Sequence, residues 1–211
     1  NTVTVAGHDD ENTAATASAT ATVIVADVAP SIMVAKTGPT TIVEGSTVAY
    51  HFVITNNSAA ITDPVTITSV VDDILGDLTS AANAAWQAAG HSGPIVLTSG
   101  ASFGFNDATT SALDAGTVVN TVTVVGHDDE NTAATAQASH TLSVTDAPPS
   151  LAVTKTGPAT VAEGSAATYT FAITNTSAAI TDPVTVTSVL DDVLGDLTAA
   201  ADAAWLAPGH P

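Results

Sequence analysis

The chain repeats itself. Asn1 to Ser92 aligns without a gap onto Asn120 to Pro211 at an offset of 119 residues, with 63 of the 92 aligned positions identical. Asn1-Thr-Val-Thr-Val-Ala-Gly-His-Asp-Asp-Glu-Asn12 returns as Asn120-Thr-Val-Thr-Val-Val-Gly-His-Asp-Asp-Glu-Asn131, and Lys36-Thr-Gly-Pro39 returns as Lys155-Thr-Gly-Pro158. A period of this length lies beyond the solenoid range of about 20 to 50 residues and matches a whole small domain. Whatever one period folds into, the chain must string copies of it end to end.

Pro-bearing breaks between apolar runs mark the seams: Ala26-Asp27-Val28-Ala29-Pro30 and Thr145-Asp146-Ala147-Pro148-Pro149 sit one period apart. They divide the chain into 1–27, the last strands of a preceding repeat, 30–146, one complete repeat, and 147–211, the first part of a following one. The 211 residues then read as an excerpt of a longer array.

Within the complete repeat, period-two alternation dominates and helical periodicity is scarce. Strands are expected at Ile32–Lys36, Val48–Thr55, Val65–Val71, Ile95–Thr98, Ala101–Phe105, Val118–Val125 and Thr132–Val144. Seven short strands predict an all-β chain of tandem sandwiches, with an Ala-rich stretch near residues 80–89 suited to one or two helical turns. Tyr50, Phe52, Ile54, Val65, Ile67, Val70, Val118, Val122 and Val124 should divide between the inner faces, with Trp86 capping the core.

Val34-Ala-Lys-Thr-Gly-Pro, Val43-Glu-Gly-Ser, Tyr50-His-Phe-Val-Ile-Thr-Asn-Asn-Ser, Asp63-Pro-Val-Thr-Ile-Thr and Leu113-Asp-Ala-Gly-Thr-Val-Val-Asn-Thr-Val-Thr-Val follow one another across the period. As a series they resemble the immunoglobulin-like conserved repeat of large bacterial surface proteins. The resemblance implies a seven-stranded immunoglobulin-like sandwich in many copies along a secreted adhesin, biofilm-matrix protein or surface fibre. It implies no chemical activity.

Composition narrows the function. The only cations are Lys36 and Lys155 against 21 acidic residues, a formal charge of -19. A nucleic-acid binder needs clustered Lys and Arg, so that class is excluded. No apolar run reaches the 18 or so residues of a membrane span, so this segment is not expected to insert in a membrane. The absence of Cys removes disulfides, thiolate nucleophiles and thiolate metal sites. Extreme acidity with a Thr/Ala/Val bias points to an exported, extracellular protein. Neither a Gly-x-Ser-x-Gly elbow nor a phosphate-cradling loop is present, and the six His show no zinc-motif spacing, so the chain is not expected to be an enzyme.

The carboxylates remain. On an immunoglobulin-like topology, the loops after the first, third and fifth strands share the C-terminal pole. They collect Glu44, Asp72 and Asp73 there with the linker Asp146, facing Asp182 of the next repeat. The N-terminal pole collects Asp27, Asp63, Asp128, Asp129 and Glu130. Ca²⁺ takes about six to eight hard oxygen ligands, and each junction supplies them. With a single Lys per repeat, metal is the available counter-charge. The competing reading makes Asp-Asp-Glu and Asp-Asp-Ile-Leu-Gly-Asp solvated turns, since Asp and Gly are turn formers. The expected partners are neighbouring repeats of the same chain, and further copies if arrays bundle into a filament. The rival function is a carbohydrate-binding module in which Trp86 stacks on sugar.

Overall fold

A computed structural model of the protein describes residues 1–59, 61–109 and 111–207. The strands are β1 (Thr2–His8), β2 (Ala14–Thr20), β3 (Ile32–Thr37), β4 (Thr41–Val43), β5 (Ala49–Asn56), β6 (Val65–Asp72), β7 (Gly76–Asp77), β8 (Val96–Leu97), β9 (Ser102–Ala108), β10 (Gly116–His127) and β11 (Ala133–Thr145). They continue as β12 (Leu151–Thr156), β13 (Thr170–Asn175), β14 (Leu190–Asp191) and β15 (Gly195–Asp196), and the helices are α1 (Thr79–Ala88) and α2 (Thr198–Trp205).

Two sheets face each other in the middle of the chain. One has the order β3-β5-β9, and the other runs β4-β11-β10-β6-β7 with β8 on the far part of β6. Every pairing is antiparallel except the short one between β11 and β4. Alternation supplies the core: β3 turns Ile32, Val34 and Lys36 inward, and β5 turns Tyr50, Phe52 and Ile54 inward. Opposite them lie Val65, Ile67 and Val70 of β6, Val122 and Val124 of β10, and Leu142 and Val144 of β11, with Val118 packed at the margin. The chain is therefore all-β with an immunoglobulin-like sandwich, and α1 lies against β6 and β9.

Trp86 of α1 is buried. Its ring stacks on His91 at 3.6 Å between centroids and meets the edge of Phe103 at 5.2 Å. Apolar periodicity does not reveal β4 and β7, because three- and two-residue strands hold too few side chains to show a period; their positions come from pairing with β11 and β6.

The flanking copies are thinner. β1 and β2 pair only with each other, and so do β12 and β13, and β14 and β15. β11 and β12 are separated by five residues including Pro148 and Pro149, and each Pro fixes its own φ while restricting the residue before it. On the far side of this seam Gly45 adopts φ +79° and lies so close to the next copy that a Cβ there would stand 2.9 Å from Ala179 Cα. Ala147 and Ala179 are buried at this seam.

Candidate metal site

The β10–β11 hairpin sets the site. Gly126 forms a bulge against β6, where a Cβ would come within 2.7 Å of the Thr66 carbonyl oxygen. The chain then turns through Asp128 to Thr132, with Asn131 in the left-handed region at φ +69° that Asn tolerates. Asp128 holds the turn itself: its Oδ1 accepts from the Thr132 N–H at 2.6 Å, and its carbonyl accepts from the Asn131 N–H. The turn-forming role that Asp has by its own chemistry is thus real.

It uses only half of the carboxylate. Asp128 is 1% exposed, and its Oδ2 has no hydrogen-bond partner. The linker brings Asp27 onto the same loop, where its Oδ2 lies 3.5 Å from the Thr132 hydroxyl. Asp27, Asp128 and Glu130 then offer carboxylate oxygens within 4.8 Å of one another. Partial desolvation and the negative charges of Asp129 and Asp27 hold the Glu130 carboxyl above its usual range. Three carboxylates at this spacing repel unless a cation joins them.

Asp63 stands at the same end of the sheet. The β6–β10 register ends with His127 opposite Thr66, three residues beyond Asp63. Its carbonyl accepts from Asn56 Nδ2 at 2.9 Å, which pins the loop before β6, while both side-chain oxygens are buried without a partner. A buried carboxylate with no donor is costly. Asp129 is exposed beside the cluster, its carboxylate outside the converging three.

The other pole is arranged differently. Glu44 is buried; its Oε2 accepts from the Ala115 N–H at 3.2 Å and its Oε1 has no partner. Asp182 Oδ2 is likewise unpartnered, and Asp146 is exposed. Among the described residues, only Asp27, Asp128 and Glu130 form a converging group of three or more such side chains.

Asp72 and Asp73 join no converging group with Glu44 or Asp146 among the described residues. β6 folds back into β7 where Asp72 faces Val122, six residues from the Gly116 end of β10. Asp73 Oδ1 accepts from the Thr121 N–H, and Asp72 is wholly committed elsewhere. Its Oδ2 meets Lys36 Nζ at 2.5 Å, and its Oδ1 accepts from the Ile74 and Leu75 N–H groups at 3.1 and 2.9 Å. Both side chains of the pair are fully shielded from solvent. This ion pair escaped the sequence reading, although a signal was there: Lys36 falls in step with Ile32 and Val34, and a lysine on an inward face demands a buried counter-charge.

The sugar-stacking role is not open to Trp86, because its ring is buried between His91 and Phe103 rather than presented to solvent. Among the described residues no helix is long and apolar enough to cross a membrane.

No protein-family model matches the sequence, and no curated protein matches it. Solved structures are similar to part of it, two of them as follows. The PKD domain of an M14-like peptidase from a Thermoplasmatales archaeon is 19% identical over 57% of this chain and 99% of its own, with a TM-score of 0.30. The CARDB domain of a Pyrococcus furiosus protein, in complex with di-metal ions, is 14% identical over 55% of this chain and 89% of its own, with a TM-score of 0.31.

Proposed function

We propose that this chain is a non-enzymatic structural spacer, a run of immunoglobulin-like repeats that sets the reach of a secreted bacterial cell-surface adhesin, matrix protein or extracellular fibre. Its partners are its own neighbouring repeats, and further copies where arrays bundle. Ca²⁺ at the junction stiffens it. The observation that supports this reading is the placement of a linker carboxylate, Asp27, on the hairpin that carries Asp128 and Glu130. An ion held by linker and hairpin together loses ligands when the joint bends, so binding and straightness are coupled. The buried, unpartnered oxygens of Asp128 and Asp63 supply the negative charge that such an ion neutralises.

Small-angle scattering and thermal melting of the 211-residue chain, with millimolar Ca²⁺ and with chelator, test the proposal. Ca²⁺ raises both the maximum dimension and the melting temperature. Equal values in the two conditions refute calcium as the stiffener and return the acidic loop to a solvated turn.

A further inference from the structure

Lys36 and Asp72 are placed for more than an ion pair. Lys36 belongs to β3 in one sheet and Asp72 to β6 in the other, so their contact crosses the core. Tyr50 and Phe52 close over the Lys36 nitrogen, with ring centroids at 4.5 and 5.4 Å, and exclude water. The two oxygens of Asp72 have distinct surroundings. Oδ1 sits under the backbone N–H groups of Ile74 and Leu75, the arrangement that stabilises negative charge developing on a carbonyl oxygen. Oδ2 faces the amine at 2.5 Å, which puts the nitrogen about 3 to 3.5 Å from the carboxyl carbon, the separation of a near-attack conformer.

We propose that Lys36 and Asp72 condense into an intramolecular amide that covalently ties the two sheets of the sandwich, with water as the leaving group. One proton passes from the ammonium of Lys36 to Oδ2, leaving a neutral amine beside a neutral carboxylic acid. The amine lone pair attacks Cγ, and the negative charge gathers on Oδ1 beneath the two N–H groups. A second proton moves from nitrogen to the former Oδ2, the C–O bond breaks, and water departs; the third proton stays on the amide. One cation and one anion become two neutral molecules, with no oxidant, reductant or other co-reactant.

In water the reverse reaction prevails, because the separated ions are well solvated. In the core that solvation is missing, and an ion pair there bears a desolvation penalty that the amide abolishes. Burial accordingly pushes the Lys36 ammonium below its ordinary range, with the Asp72 carboxylate opposing it.

The C-terminal copy supplies an internal control. Lys155 contacts Asp191 through the same atoms, and Asp191 Oδ1 accepts from the Val193 and Leu194 N–H groups, but Lys155 is 39% exposed. There the pair keeps its charges: the hydrogen bond to Asp191 raises Lys155, and Lys155 with the two N–H donors holds Asp191 down at about 2. The chemistry is expected in the covered copy and not in this one.

Intact-mass measurement of the 211-residue chain under denaturing conditions tests the proposal. The expected mass is about 18 Da below that of the sequence, one water lost. Because the chain has two lysines and no arginine, trypsin then gives a simple readout: the denatured chain is cut after Lys155 and resists after the acylated Lys36. Lys36→Arg restores the full mass, and Lys155→Arg leaves the deficit in place. A wild-type chain of full sequence mass, cut after both lysines, overturns the proposal. So does a deficit that persists in Lys36→Arg, since the water then left from elsewhere. Both readouts are made on unfolded chains, so a variant that fails to fold still reports.

Discussion

The hairpin of β1 and β2 and that of β10 and β11 are built from nearly the same residues, and they do different things. Both place an Asn in the left-handed region, Asn12 at φ +67° and Asn131 at φ +69°, and in both the leading Asp ties the turn, Asp9 to Thr13 and Asp128 to Thr132. Yet Asp9 is exposed, whereas Asp128 is buried with one oxygen unpartnered. The same contrast separates Lys36–Asp72 from Lys155–Asp191. Local sequence makes the turn and the contact; a covering sheet or an arriving linker changes their chemistry.

Paired substitutions sharpen that contrast. The largest effect is expected at Asp72→Ala, which leaves the Lys36 charge buried without its partner and costs about 3 to 5 kcal/mol. Asp191→Ala leaves Lys155 with access to water, so its melting temperature should stay near that of the parent. Equal losses in chemical denaturation would break the comparison, because burial would then not be what distinguishes the two pairs.

Next comes the cation. A ligand that binds only the folded form stabilises it by roughly 2.7 kcal/mol at 100-fold its Kd. Asp128→Asn keeps an oxygen for the Thr132 N–H but removes a charge, so it should abolish most of the Ca²⁺-induced rise in melting temperature. Asp9→Asn, in the exposed β1–β2 hairpin whose acidic residues join no converging group among the described residues, should leave that rise intact. Calorimetric titration of both variants separates them.

The smallest effect concerns Gly45 and Gly164, both at φ +79°. Ala in this region costs roughly 1 to 2 kcal/mol by backbone strain alone. At Gly164 nothing lies within 4 Å of a new Cβ, whereas at Gly45 the Cβ also collides with Ala179. Gly45→Ala should therefore be the more destabilising and should change the scattering profile at the seam, while Gly164→Ala should leave the profile alone.

Long strands were legible because eight to thirteen residues carry several turns of a two-residue period, and Tyr50, Phe52, Ile54, Val122 and Val124 fall on that period. β4 and β7 were not, since a pairing partner rather than a pattern creates them. In the acidic cluster, the turn chemistry of Asp128 is local and could be read. Asp27, 101 residues earlier, could be assigned to the same pole, but the convergence of its carboxylate with those of Asp128 and Glu130, and not with Asp129, depends on how the linker is laid down. Loop order does not reveal that Asp72 turns inward onto Lys36 instead of outward to a junction, because the partner comes from a strand of the other sheet.

The 119-residue period, the alternation of apolar residues and the Pro-bearing seams determine by themselves that this chain is a series of β-sandwich units: each is a short-range pattern, and backbone geometry converts it directly into strands and breaks. Which carboxylates lie free, which are stranded without a donor, and which face an amine were decided only by the tertiary structure. The physical reason is that an ionisable group's behaviour depends on the water and charge around it, and distant strands supply or remove both.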